Sequence, residues 1–147
     1  MQLDFGFKLT TVLALRERTK EAKLKAYARI VQQKMNLTES LKKTRLELKQ
    51  LIYNQEQINQ LVNPQQYIQL RNKVNELHSQ VEDLQRHIQS LEIEESKRLN
   101  EFLEAKRNVE ILEKLKEKKM QQFLHTQSML SEKLIDDWSQ FNAGQKK

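Results

Sequence analysis

One proline constrains this chain more than any other residue. Pro64 is the sole proline in 147 residues, and the two glycines, Gly6 and Gly144, lie near the ends. Two stretches, 7–63 and 65–143, therefore contain nothing that strongly interrupts a helix. Stretches of that length without a breaker point to a coiled coil, a membrane span or a helical repeat. A span needs about 20 consecutive apolar residues, and the sequence has no such run.

The apolar residues recur at alternating steps of three and four. In the second stretch the series is Tyr67, Leu70, Val74, Leu77, Val81, Leu84, Ile88, Leu91, Glu95, Arg98, Phe102, Ala105, Val109, Leu112. Twelve of these fourteen are apolar, in a chain that is 37% hydrophobic overall. The first stretch repeats the beat through Tyr27, Ile30, Lys34, Leu37, Leu41, Thr44, Leu48, Leu51, Gln55, Ile58 and Val62, with eight of eleven apolar. A mean repeat of 3.5 residues is the mark of a left-handed coiled coil. Nearer the start, Val12, Leu15, Thr19, Ala22, Ala26 and Ile30 step by 3, 4, 3, 4 and 4, which reads as a stutter.

Pro64 disfavours helix at Asn63 and suits the first helical position, and Asn63 is a good N-cap. The expected fold is all-α: a two-helix antiparallel coiled-coil hairpin forming one domain, 1–147. Helix one runs from about 6 to 61, the turn from 62 to 64 and helix two from 65 to 141, with 142–147 a disordered tail. The competing arrangement is one kinked helix that pairs with a second copy. If the chain turns, facing residues sum to 125: Ile58 with Tyr67, Leu51 with Val74, Leu48 with Leu77, Leu41 with Leu84, Leu37 with Ile88, Leu13 with Leu112. Paired arms of that kind imply a rod roughly 85 Å long at 1.5 Å per residue. Lys34 and Glu95 fall one layer apart in the seam, where they either pair diagonally or extend their heads to water.

The net charge of +6 is unevenly spread. Residues 16–34 carry seven bases and two acids, and 106–119 carry six and three, whereas 47–80 balance three against three. A basic half raises the possibility of nucleic acid, but acids are interleaved and aromatic stacking platforms are missing. An acidic protein partner or a solvated face accounts for the charge better. Beyond Met120 the second helix is expected to outlast the first, yet Phe123, Leu130, Leu134, Trp138 and Phe141 continue an apolar stripe. Such a stripe calls for a partner or frays.

Catalytic and metal-binding constellations are absent. His78, His87 and His125 are scattered, there are no cysteines, and no Gly-rich phosphate loop or nucleophile elbow occurs. No cofactor is expected and the chain reads as a non-enzyme. The lack of cysteine suits a reducing compartment, and residues 1–15 make a poor secretory signal because the basic n-region is missing.

Both ends carry more specific sequence. Phe5-x-Phe7-x-Leu9-x-x-Val12-Leu13-x-Leu15-Arg16 resembles the start of the flagellar export protein FliJ family. Leu112-Glu113-Lys114-Leu115-Lys116-Glu117-Lys118-Lys119 and Glu132-Lys133-Leu134-Ile135-Asp136-Asp137 are similar to its C-terminal part. The resemblance implies a soluble, stalk-like component of the flagellar type III export apparatus, cytoplasmic and peripherally associated with the membrane at the flagellar base. Its implied partners are the hexameric export ATPase, the cytoplasmic domain of the membrane export gate, and export chaperones, with neither nucleic acid nor direct membrane insertion.

By the same resemblance, the ATPase ring would be met by Phe5, Phe7, Arg16, Lys114, Lys116, Lys118, Lys119, Phe123, Leu130, Leu134 and Trp138. The gate would be met by Leu51, Ile58, Tyr67, Arg71, Val74 and His78. Arg71 and Asn54 stand where the family pattern leads one to expect an aliphatic and an aromatic residue. Leu51, Ile58, Tyr67 and Val74 are seam positions in the 125 register, so their plain role is packing. The stalk protein of a virulence type III secretion system and a self-associating structural coiled coil remain open as alternatives.

Overall fold

The computed structural model describes residues 7–58 and 63–145, without the side chains of Phe7, Ile58 and Gln145. Helix α1 spans Phe7–Ile58 and helix α2 spans Pro64–Gln145, and no strand occurs among the described residues. The two long helices pack against each other as a hairpin. Ile58 and Val62, assigned to the seam and turn, have side chains outside the described residues, as does the expected turn position 62.

Helix α2 begins as the sequence dictates. Asn63 Oδ1 accepts a hydrogen bond from the Gln65 amide at 3.3 Å, and the Asn63 carbonyl accepts the first helical bond from the Tyr67 amide at 3.2 Å. That is an asparagine N-cap followed by proline at the first helical position, where the missing N–H costs nothing. At the other end α2 runs on to Gln145, past the expected stop at 141 and through most of the segment expected to be a disordered tail. Ala143 is a strong helix former, and Gly144 so near the terminus gives up only a turn's worth of bonds.

The chain divides into two compact units: residues 1–22 with 103–147, and residues 23–102. A two-helix coil has no common centre to bury, since each layer packs only on adjacent layers.

In the 23–102 unit the core is the heptad stripe. Ile30, Leu41, Leu48, Val74, Leu77 and Leu91 are buried, and Leu48, Val74 and Leu77 form one cluster flanked by Leu51, Ile52 and Val81. Leu48 with Leu77 and Leu51 with Val74 are the partners that the 125 register predicts. Ion pairs cross the seam close to the same register. Lys23 Nζ reaches Glu101 Oε2 at 3.5 Å, while Lys34 Nζ reaches Glu95 Oε2 at 3.1 Å and Glu92 Oε1 at 3.7 Å. As numbering falls along α1 it rises along α2, so the helices are antiparallel.

In the unit made of 1–22 and 103–147, Ala105 and Val109 are buried, and Val109 is only 1% exposed. Here burial follows the expected stutter only in part. Val12, Leu15, Arg16 and Ala22 are exposed, Leu15 by 61%, while Leu9, Leu13, Thr19 and Lys20 are partly buried along α1; in the 23–102 unit Lys23, Ala26 and Tyr27 are partly buried. On the steps of three and four that run back from Ile30, Tyr27, Lys23, Lys20, Leu13 and Leu9 are partly buried, while Arg16 is exposed. The 125 register sets Arg16 against Val109 and Lys20 against Ala105. The partly buried Lys20 stem can thus lie over the smaller Ala105 and carry its charge out to water.

Candidate functional site

Two surfaces need description, and each falls within one unit. The first belongs to the unit made of 1–22 and 103–147. Arg16, Lys114, Lys118 and Lys119 are exposed, whereas Lys116 is partly buried because the heptad beat carries it into the seam position after Leu112. Phe5 and the side chain of Phe7 lie outside the described residues. Farther along α2, Leu130, Leu134 and Trp138 are 56%, 69% and 66% exposed, and Phe123 is partly buried.

Exposure adds residues that the stripe alone did not single out. Leu124, Met129 and Ile135 are each more than half exposed, as is Phe141. At 100° per residue all but Met129 join Leu130, Leu134 and Trp138 on one side of the helix, an arc of about 140°. A 3.6-residue count from Phe123 finds Leu124 and Ile135 on the rim of the stripe; a strict 3.5 count omits them.

Ordinary soluble surfaces carry apolar patches of a few hundred Å² at most unless they bind something. An uncovered helical face with Trp138 and Phe141 near its end has the chemistry of a helix-in-groove or helix-on-helix contact. The basic residues lie on the turns just before it. A lysine-rich segment leading into an apolar face would attract an acidic rim and then bury the face against a dry centre.

The second surface belongs to the 23–102 unit. Of the residues assigned to the gate, Tyr67, Arg71 and His78 are exposed, Leu51 is partly buried, and Val74 is buried at 7% exposure in the cluster with Leu48 and Leu77. The Ile58 side chain lies outside the described residues. Val74 and Leu51 hold the helices together and offer little to a partner. The exposed apolar residues on this stretch of α1 are Leu46 and Tyr53, 59% and 61% exposed, which line a shallow groove with Lys49, Gln50 and Asn54. Both are one face away from the seam, seven residues apart and hence on the same side of the helix. Sequence reading passed over them because they do not fall on the heptad stripe that it followed.

Electrostatics is concentrated in the same unit. Glu95 and then Glu92 hold the Lys34 ammonium above the ordinary lysine value, against the opposing pull of burial. Burial pushes the Glu101 carboxyl up, but Lys23 and Arg98 together outweigh it and leave the group below the usual carboxylate range. Glu95 Oε2 is sealed from solvent with Lys34 as its counter-ion and no well-directed hydrogen bond. These are structural ion pairs. Among the described residues no group of three His, Cys, Asp or Glu is placed to hold a metal ion, and no helix is long and apolar enough to cross a membrane.

No curated protein and no solved structure matches the chain. The family described as Flagellar FliJ protein matches residues 5–147, essentially its whole length. Two long packed helices, an uncovered apolar face and that match lead to one conclusion: the chain belongs to the flagellar FliJ protein family, a non-catalytic component of the flagellar export apparatus.

Proposed function

We propose that the chain is a stalk that inserts the segment 114–141 of α2 into the ring of the export ATPase and promotes its assembly. The observation carrying this reading is the uncovered face of Leu130, Leu134, Trp138 and Phe141, preceded by Lys114, Lys118 and Lys119. The lysines steer the helix to an acidic rim, and the apolar face supplies the contact once water is excluded. Lys116 keeps most of its stem in the hairpin and contributes less. Arg16 adds positive charge from α1.

The same reading gives the 23–102 unit a second partner, the cytoplasmic domain of the export gate. Tyr67, Arg71 and His78 are its contact residues on α2. On α1 the exposed pair Leu46 and Tyr53 takes the place of Leu51, since a residue packed against the core cluster meets a partner less readily than an exposed one. Export chaperones are further partners, and the location is the cytoplasmic face of the membrane at the flagellar base.

The test is binding to, and stimulation of, the host's export ATPase by the purified chain, beside a variant ending at Met120. Stimulation by the full chain and none by the shortened one supports the ring-inserting stalk. A folded full chain that neither binds nor stimulates the ATPase removes this reading and favours a structural coiled coil.

A further inference from the structure

The uncovered face of α2 has a symmetry of its own. Eighteen residues make five turns of an α-helix, so residues eighteen apart lie on one line. Met120 and Trp138 share such a line, and so do Phe123 and Phe141. The apolar positions 123, 130, 134, 138 and 141, with Gln127 between, advance by 3.6 residues on average. That is the period of a straight helix, in contrast to the 3.5 of the seam.

Lys119 and Asp137 are also eighteen apart. They occupy the same edge of the apolar face, one at each end, both exposed and neither in an ion pair among the described residues. A two-fold axis perpendicular to the helix near Gln127 lays this face antiparallel on a second copy of itself. Met120 then shares a layer with Leu134, and Leu124 with Leu130. In an antiparallel pair each edge of a helix faces the same edge of its partner. Lys119 of each copy therefore meets Asp137 of the other, and symmetry makes the contact twice. A parallel pair brings the opposite edges together and loses both contacts.

We propose that this face is an isologous interface between two copies of this chain, formed by antiparallel pairing of residues 119–137. Charge complementarity selects the second copy as the occupant and sets its direction, while the apolar side chains supply the association. The inference stands on this face alone and does not require the ATPase reading. A self-paired face is closed to any other partner, so protein concentration sets how much of it is available.

Sedimentation equilibrium of the full chain, up to about 100 μM, tests the proposal, with helicity followed by circular dichroism. The expected result is a monomer–dimer equilibrium that Leu134→Glu abolishes at unchanged helicity. Lys119→Glu and Asp137→Lys should each weaken the dimer by about tenfold, because each reverses two exposed charge pairs. An equimolar mixture of those two variants should dimerise as the parent does, since both contacts become attractive again. A chain that stays monomeric at the highest concentration overturns the proposal. So does a dimer indifferent to Leu134→Glu, or a mixture no tighter than either variant alone.

Discussion

Lys34 Nζ sits 3.1 Å from Glu95 Oε2 across the seam, inside a stripe that is otherwise almost wholly apolar. The pair lies on a diagonal, since 34 and 95 sum to 129 while the facing layers sum to 125. Glu92, at 3.7 Å, reaches the same ammonium from the preceding turn. Sliding one helix along the other by a heptad keeps apolar on apolar in most layers, but it parts Glu95 from Lys34. The polar layer thus distinguishes one register from its neighbours, as polar seam residues do in coiled coils.

The two partners should not be equivalent in mutagenesis. Glu95 Oε2 is sealed from water, whereas the Lys34 head has a flexible stem and a route out. Lys34→Met leaves a buried carboxylate oxygen without its counter-ion, and Glu95→Met leaves a lysine that still has Glu92. Thermal unfolding should show Lys34→Met lower in Tm by about 2–4 °C, with Glu95→Met closer to the parent. Equal losses would show that the pair contributes nothing beyond its exposed Coulomb attraction.

Both ends of the pH scale should weaken the 23–102 unit through named groups. The Lys34 value is raised in the folded chain, so its contribution is complete below the ordinary lysine range. It disappears as pH rises through the raised value. The Glu101 value is lowered, so its contribution is complete above the ordinary carboxylate range and disappears as pH falls through the depressed value. Tm measured against pH should fall on both limbs. Lys34→Met should flatten only the alkaline limb and Glu101→Gln only the acid one.

The seam leucines should be costly to shorten in proportion to burial. Leu77 is 2% exposed and clustered with Leu48 and Val74, so Leu77→Ala should cost about 2–4 kcal/mol. Leu46, on the outer face and 59% exposed, should tolerate alanine within about 0.5 kcal/mol. If export-gate binding is then measured, the order should reverse. A gate contact through Leu46 and Tyr53 predicts weakened binding for Leu46→Ala in a chain of parental stability.

Much of the fold was legible because one signal, the 3.5 beat, sets helix identity, seam and register together. Leu48 against Leu77 and Asn63 as the cap both follow from pattern and turn chemistry alone. What was not legible is instructive. Between Leu9 and Tyr27 the partly buried positions include Lys20 and Lys23, and a hydrophobicity count moves to the nearest apolar residues instead, Val12 and Leu15. The partner-facing residues were harder still. Sequence similarity assigns a partner role to Val74, which is buried, and to Leu51, which is partly buried against the same cluster, while Leu46 and Tyr53 have no periodic signal to announce them.

The frame of that N-terminal seam gives a last discriminating pair. Leu13 is partly buried and, in the 125 register, faces Leu112; Leu15 is 61% exposed. A stuttered seam through Val12 and Leu15 makes Leu15 a packing residue, whereas the continuous beat makes Leu13 one. Leu13→Ala should therefore destabilise by about 1–3 kcal/mol, the lower part of the range for core leucines because the site is only partly buried. Leu15→Ala should stay within about 0.5 kcal/mol of the parent. Amide exchange across 7–22 reads the local effect even where global unfolding is dominated by the other unit. A larger loss at Leu15 than at Leu13 would mean that the stuttered frame is the one populated in solution. Lys20 and Lys23 would then be surface residues, with no part in the seam.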